Sequence, residues 1–260
     1  PRHSTATPPP PTPAKTLFPY TPLFRSDFGS ESYINFENAN MGAGNDSVTG
    51  NASANLINGG AGNDTLVGGA GIDTLNGGDG NDVITSDGDG GTYRGDGGND
   101  TLFSGLGNET MDGGAGIDTI DHTVFGGNYV FNMATGLTNF GGESFINFEN
   151  ANMGAGNDSV TGNASANIIN GGAGNDTING GLGNDKLIGG LGDDLYVVNV
   201  AGDVVTENVA EGTDTVRVAF TAAGTYALSA NVENAVAVGA VNVNITGNFL
   251  NNELAFIFKK

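Results

Sequence analysis

The stretch GGAGNDTLVGGAGIDTLNGGDGNDVIT, residues 59–85, decides the fold, because it is one nine-residue unit written three times. Its first six positions are dominated by Gly, Asn and Asp, which tolerate left-handed and turn backbone, and its last three carry an apolar residue at position eight. Each unit therefore reads as a turn followed by a short strand. The period begins at Met41 and runs without insertion to Asp121, and even the degenerate SDGDGGTYR (86–94) keeps the count. A second array starts at Met153 and includes GGAGNDTIN (171–179), GGLGNDKLI (180–188) and GGLGDDLYV (189–197). Position eight is Val48, Ile57, Leu66, Leu75, Ile84, Tyr93, Leu102, Met111 and Ile120, then Val160, Ile169, Ile178, Leu187 and Tyr196.

A lone three-residue strand is unstable, so successive strands must stack as parallel ladders on two faces, two units making one coil around a thin aliphatic core. The expected fold is all-β: a right-handed parallel β-roll of 18 residues per coil, in two arrays with a strand-rich C-terminal extension. Hairpin arms of three residues are too short to favour the antiparallel alternative.

Working outward, all eight prolines lie within residues 1–22, and TLFPYTPLFRS (16–26) closely resembles a translated sequencing adapter with Pro22 the departure. Residues 1–26 are expected to be a disordered leader foreign to the fold. Residues 27–121 form the first roll with an N-terminal cap, 122–197 a linker or cap and the second roll, and 198–260 a strand-rich, degenerate and truncated region. Residues 31–66 recur at 143–178 with three changes, an offset of 112 that is not a multiple of nine, so the second array has its own register. A fainter third copy at 231–248 has Val243 where the aspartate would stand.

The aspartates carry the chemistry. Residues 18 apart should lie one strand spacing apart, roughly 4.8 Å, where two carboxylates repel by about 3.5 kcal/mol at an effective dielectric of 20. A cation midway between two layers would sit roughly 2.4 Å from each, a distance suited to Ca²⁺ and oxygen. Asp46, Asp64, Asp82, Asp100 and Asp118 form one such row, and Asp158, Asp176 and Asp194 another, which gives about six strong sites. On the opposite edge Asp73 faces Asn55 and Asp185 faces Asn167, with Gly91 and Glu109 following Asp73, so those sites should be weaker or empty. Further oxygens would come from the glycine region, at Gly42, Gly44, Gly60, Gly62, Gly78, Gly80, Gly114, Gly116, Gly172, Gly174, Gly190 and Gly192. Zinc or copper would want His or Cys, and the chain has no Cys and only His3 and His122. Six divalent ions, twelve charges, would move the formal charge of −21 to about −9.

Plainer roles fit the remaining residues. Asp79, Asp87, Asp89 and Asp96 fall outside position six and read as solvated turn residues; Glu109 reads equally as a substitute ligand or a tolerated lapse. Tyr93 and Tyr196 sit in the apolar slot and should pack, and His122 stands alone without a catalytic partner. Phe36, Glu37, Phe148 and Glu149 are expected to cap an open end of the roll. With 29 acidic residues against 8 basic ones, nucleic acid and anionic membranes are poor partners. No apolar run reaches a membrane span, no signal peptide is visible, and HExxH, GxSxG and Walker motifs are missing, so no enzyme is expected in this chain.

These units resemble the haemolysin-type RTX (repeats-in-toxin) calcium-binding repeats, whose pattern is G-G-x-G-x-D-x-U-x, over residues 27 to about 254. The resemblance implies a parallel β-roll, Ca²⁺-triggered folding outside the cell, and export through the type I secretion apparatus of a Gram-negative bacterium. ELAFIFKK, ending in Lys259 and Lys260, departs from the acidic, apolar tail expected of a type I signal. Three functions follow as expectations: a calcium-responsive folding module; the C-terminal part of an RTX metalloprotease or lipase; or a structural or adhesive surface protein. Against an ice-binding surface, position seven mixes Ser, Leu, Thr, Val, Lys and Met.

Overall fold

The computed structural model describes residues 24–25, 30, 32–239 and 241–258, and no helix occurs among them. Short strands follow one another at half-coil intervals, and outside the junction of the two arrays they pair in parallel with the strand one coil away. Thr65 pairs with Val83, Val83 with Thr101 and Thr101 with Thr119, a register of 18 residues held across coils. The product is a β-solenoid of about twelve turns.

The three-residue strands bury only their middle residue, as in Thr65–Val67 and Thr101–Phe103, because side chains alternate across a strand. That middle residue is position eight, and every position-eight side chain from Val48 to Tyr196 is at most 1% exposed. Each contributes about 1.5–3 kcal/mol through burial, and together they form the thin core. The turns close tightly on one another. Gly78 has φ of +113°, and a Cβ there would lie 2.0 Å from the carbonyl oxygen of Gly60 one coil below, so only glycine fits.

The two arrays are joined into one roll. Thr119–Asp121 pairs in parallel with Asn150–Asn152, so both arrays share a ten-stranded sheet. On the other face, Glu109–Asp112 pairs with Ser144–Ile146 and ends a seven-stranded sheet; an eight-stranded sheet then begins with the antiparallel pair Val130–Asn132 and Leu137–Thr138 and continues through Ser159–Thr161. The inserted segment brings its own aromatic core of Tyr129, Phe131, Phe145 and Phe148, with Phe131 and Phe145 edge-on at 5.9 Å.

The expected cap at the second repeat of the INFEN motif is therefore corrected: Phe148 and Glu149 lie inside a continuous roll, since Asn150–Asn152 beside them pairs with Thr119–Asp121 on one side and Ile168–Ala173 on the other. Glu37 is exposed and its carbonyl accepts the Leu56 N–H, whereas only the backbone of Phe36 is described. Asn35, Asn147 and Asn231, which open the three related segments, all take left-handed backbone (φ of 67°, 57° and 65°). Of the leader, Phe24 and Arg25 are described and pair with Ala39 and Asn40; the remainder of residues 1–26, like Lys259 and Lys260, lies outside the described residues. Residues 198–258 prolong the roll with slightly longer coils, Leu195 pairing with Thr215, Thr215 with Asn234 and Asn234 with Glu253.

Candidate metal centre

Position six closes each turn onto its neighbour. The Oδ1 atom of Asp64 accepts the backbone N–H of Asp46, and Asp82, Asp100 and Asp118 repeat the bond to Asp64, Asp82 and Asp100, each at 2.7 Å. In the second array Asp158 accepts from Tyr129 (2.8 Å), Asp176 from Asp158 (2.7 Å) and Asp194 from Asp176 (2.7 Å). On the other edge Asp73 accepts from Asn55 (2.8 Å) and Asp185 from Asn167 (2.9 Å). All ten aspartates singled out from the sequence are thus brought into rows, and all are buried.

That bond uses one oxygen of each carboxylate. The second, Oδ2, is buried and without a hydrogen-bond partner in Asp64, Asp73, Asp82, Asp100, Asp118, Asp176, Asp185 and Asp194. It points at the glycine opening its own unit. A Cβ on Gly59 would stand 2.3 Å from Asp64 Oδ2 and 2.6 Å from the carbonyl oxygen of Gly77; on Gly95 the distances to Asp100 Oδ2 and Gly113 O are 2.2 and 2.4 Å. Gly171 repeats the arrangement with Asp176 Oδ2 and Gly189 O at 2.2 and 2.9 Å. Glycine thus leaves open a cradle into which a carboxylate and a carbonyl oxygen of adjacent coils converge.

The carbonyls beside the carboxylates are those of position one. Positions two and four, named from the sequence, stack in parallel columns instead: Gly42 O lies against Gly60, Gly60 O against Gly78 and Gly172 O against Gly190, while Gly44 O, Gly62 O and Gly174 O lie against Gly62, Gly80 and Gly192. Gly114 and Gly116 meet Asp96 O and Gly98 O in the same way. Gly42 O already accepts the Ala61 N–H at 2.8 Å.

Burial, and after it the carboxylates of neighbouring coils, push Asp82 and Asp194 up to about 7 and Asp118 and Asp176 up to about 6. Burial and Asp203 raise Asp185 to about 6, and Asp64, Asp73, Asp100 and Asp158 are raised as well, chiefly by burial. An ionised carboxylate taken out of water without a partner is costly, so these rows require positive charge, either protons or cations. The donor set is oxygen alone, which fits a hard divalent ion of the Ca²⁺ class. When bound, such an ion supplies two charges shared between adjacent carboxylates.

Residues 42–66, 58–93, 87–120, 154–178 and 161–196 match the family model of the RTX calcium-binding nonapeptide repeat (four copies). The chain carries RTX calcium-binding repeats. No curated protein sequence matches it. The RTX arrays carry one edge of continuous aspartates and a second on which self-satisfied positions interrupt Asp73 and Asp185. At Asn167 the side-chain amide donates to the Glu149 carbonyl at 2.8 Å, so the charge and the lone carboxylate oxygen both vanish. Gly91 offers no side chain, and both oxygens of Glu109 are engaged by the Gly105 N–H (3.0 and 3.1 Å), one of them also by the Ser86 hydroxyl.

Sequence reasoning missed what fills that edge. Ser86, Ser104 and His122, each 18 residues apart, replace the position-one glycine where the aspartates lapse, and Ser104 Oγ meets His122 Nδ1. The signal was present in that column of substitutions. Burial lowers His122 to about 4 and its ring packs 4.0 Å from that of Tyr129, so it is a neutral core residue. Tyr93 and Tyr196 are fully buried, and Asp79, Asp87, Asp89 and Asp96 are exposed.

The junction also exchanges the edges. The Asp118 N–H donates to Glu149 Oε2 at 3.0 Å, so the acid-rich row of the first RTX array runs on into Glu149, Asn167 and Asp185, the sparse row of the second. The insertion lengthens this coil to the 31 residues between Asp118 and Glu149, which breaks the multiple of nine, and the second array rejoins the roll on the opposite edge.

Proposed function

We propose that the chain is a calcium-responsive folding and stabilising module of a secreted protein, with a binding rather than a catalytic role. Calcium ions would lie between Asp46 and Asp64, Asp64 and Asp82, Asp82 and Asp100, Asp100 and Asp118, Asp158 and Asp176, and Asp176 and Asp194, with glycine-region carbonyls completing each shell. Asp73 and Asp185, flanked by Asn55 and Asn167, would hold ions more weakly. One observation carries this reading: rows of buried carboxylates, one coil apart, in which the second oxygens of Asp64, Asp82, Asp100, Asp118, Asp176 and Asp194 have no partner.

The energetics point the same way. An ion present at a hundred times its Kd stabilises the folded state by about 2.7 kcal/mol, so six contribute on the order of 16 kcal/mol, as much as the whole stability of an ordinary domain. In a cytosol poor in Ca²⁺ the acidic, glycine-rich chain stays unfolded and fit for the type I secretion apparatus of a Gram-negative bacterium; millimolar Ca²⁺ outside neutralises the rows and stacks the coils. Circular dichroism of the chain in calcium and in EGTA tests this. Little β structure in EGTA and full β structure in calcium is expected; equal β content in both refutes it.

A further inference from the structure

Beyond the last nonapeptide the regular pattern lapses, yet the acids do not disperse. Asp194 N–H donates to Asp214 Oδ1 at 2.9 Å, and Asp214 N–H to Glu233 Oε2 at 2.8 Å, so the row continues through coils of 20 and 19 residues. Thr206 pairs with Ile188, which sets Glu207 in register with Gly189. At Gly171 and Gly189 the same position is the open cradle; here a long carboxylate side chain enters it.

Glu207 is 6% exposed, and neither of its carboxylate oxygens has a hydrogen-bond partner. One oxygen each from Asp194, Glu207 and Asp214 lie within 4.8 Å of one another, and all three residues are buried. Asp194 Oδ2 is likewise unpartnered. The other groups facing Glu207 are Glu211 and Glu233, again acidic, and burial, then Asp214 and Asp194, and after them Glu211 and Glu233, push Glu207 up to about 8. Three converging carboxylates without a basic partner demand a cation more strongly than the paired aspartates of the repeats do.

The geometry points to a separate cation site of Asp194, Glu207 and Asp214, outside the nonapeptide pattern, that takes a hard divalent ion such as Ca²⁺ on three carboxylates from two coils. Its larger ligand charge makes it tighter than a two-aspartate site, and it fastens the first irregular coil to the last regular one. The site rests on the reading of the chain as calcium-binding, but not on the nonapeptide ligands other than Asp194.

Calcium ions bound to the full chain are counted by native mass spectrometry for the unaltered protein, Glu207→Gln, Asp214→Asn, the double variant, and Asp82→Asn as a control within the repeats. Circular dichroism at saturating calcium checks folding. Glu207→Gln and Asp214→Asn each keep the side-chain shape, and each should lose one ion; the double variant should also lose one, because both act on a single site. Unchanged counts in the single variants, or two ions lost in the double, overturn the proposal. If Asp82→Asn lowers the count while Glu207→Gln and Asp214→Asn do not, only this site fails; a chain that binds no calcium sinks the repeat reading as well. Should Glu207→Gln fail to fold, the count for Asp214→Asn decides.

Discussion

Replacing Asp82 by Asn separates the two consequences of a buried carboxylate row, because the sign of its effect must depend on calcium. Asp82 lies between Asp64 and Asp100, accepting the N–H of the first and donating its own to the second, both at 2.7 Å. An asparagine keeps the Oδ1 acceptor, and Asn55 and Asn167 already occupy position six before regular strands. In calcium the variant loses ions on both sides of one coil, about 5 kcal/mol if each stands at a hundred times its Kd. Without calcium it removes two repulsions of about 3.5 kcal/mol each at a spacing of roughly 4.8 Å, reduced by salt, and so gains stability. Asp46→Asn, at the first aspartate of the row, removes one aspartate pair rather than two and should cost about half as much in calcium. Urea denaturation of the three proteins, at saturating calcium and in EGTA, reads both effects. Equal losses for Asp46→Asn and Asp82→Asn, or destabilisation of Asp82→Asn in both conditions, would refute ion sharing between adjacent coils.

Other outcomes follow from the same geometry. Gly78→Ala places a Cβ 2.0 Å from Gly60 O at a φ of +113° and should cost more than about 3 kcal/mol, whereas Gly126→Ala, with nothing within 4 Å, should stay within about 0.5 kcal/mol in the same urea assay. Leu66→Ala, at a fully buried position eight, should cost about 2–5 kcal/mol, and Ile72→Ala, 71% exposed, almost nothing. Acid should favour the metal-free roll. Carboxylates raised from 3.8 to about 6 (Asp118, Asp176) or about 7 (Asp82, Asp194) bind protons more tightly folded than unfolded, so their contribution is complete below pH 3.8 and is lost as pH rises through 6 to 7. Circular dichroism in calcium-stripped buffer should show β content rising from pH 8 to pH 5, and calcium affinity falling over the same window; β content that falls on acidification contradicts this.

The repeat made the coil legible because position and partner are locked together at a fixed period. Position eight is apolar in every unit and buried in every unit, and Asp46 to Asp118 align at 18 residues because nothing interrupts the count. Legibility ended where the period did. The offset of 112 announced a change of register, but which edge Glu149 would rejoin depended on how Tyr129, Phe131 and Phe145 fill the inserted segment, a matter of tertiary packing that no spacing encodes. The glycine oxygens were harder to read for another reason: the sequence points to carbonyls at positions two and four, whereas the structure sets those of position one beside the carboxylates, and a backbone oxygen's direction is fixed only once glycine takes its turn conformation.

Positions one and six together govern the roll's response to charge. Where position one is glycine, as at Gly59 and Gly95, a carboxylate and a carbonyl face an open cradle and the coil calls for an ion. Where it is Ser86, Ser104 or His122, neutral side chains bond to one another and to Glu109, and the coil is closed without metal. Where it is Glu207, a third carboxylate enters and the demand for a cation rises. A roll built this way has no need of uniform sites. The patch between residues 86 and 122 on one edge, where Ser86, Ser104 and His122 replace glycine, lies opposite the row from Asp82 to Asp118, so that part of the roll is held by protein contacts on one edge and requires charge neutralisation on the other. Transplanting glycine into the Ser104 position should therefore weaken the roll in EGTA, because His122 loses its partner, without adding a calcium ion, since Glu109 remains bonded to the Gly105 N–H; an added ion in the mass spectrum would show that the residue at position one alone creates a site.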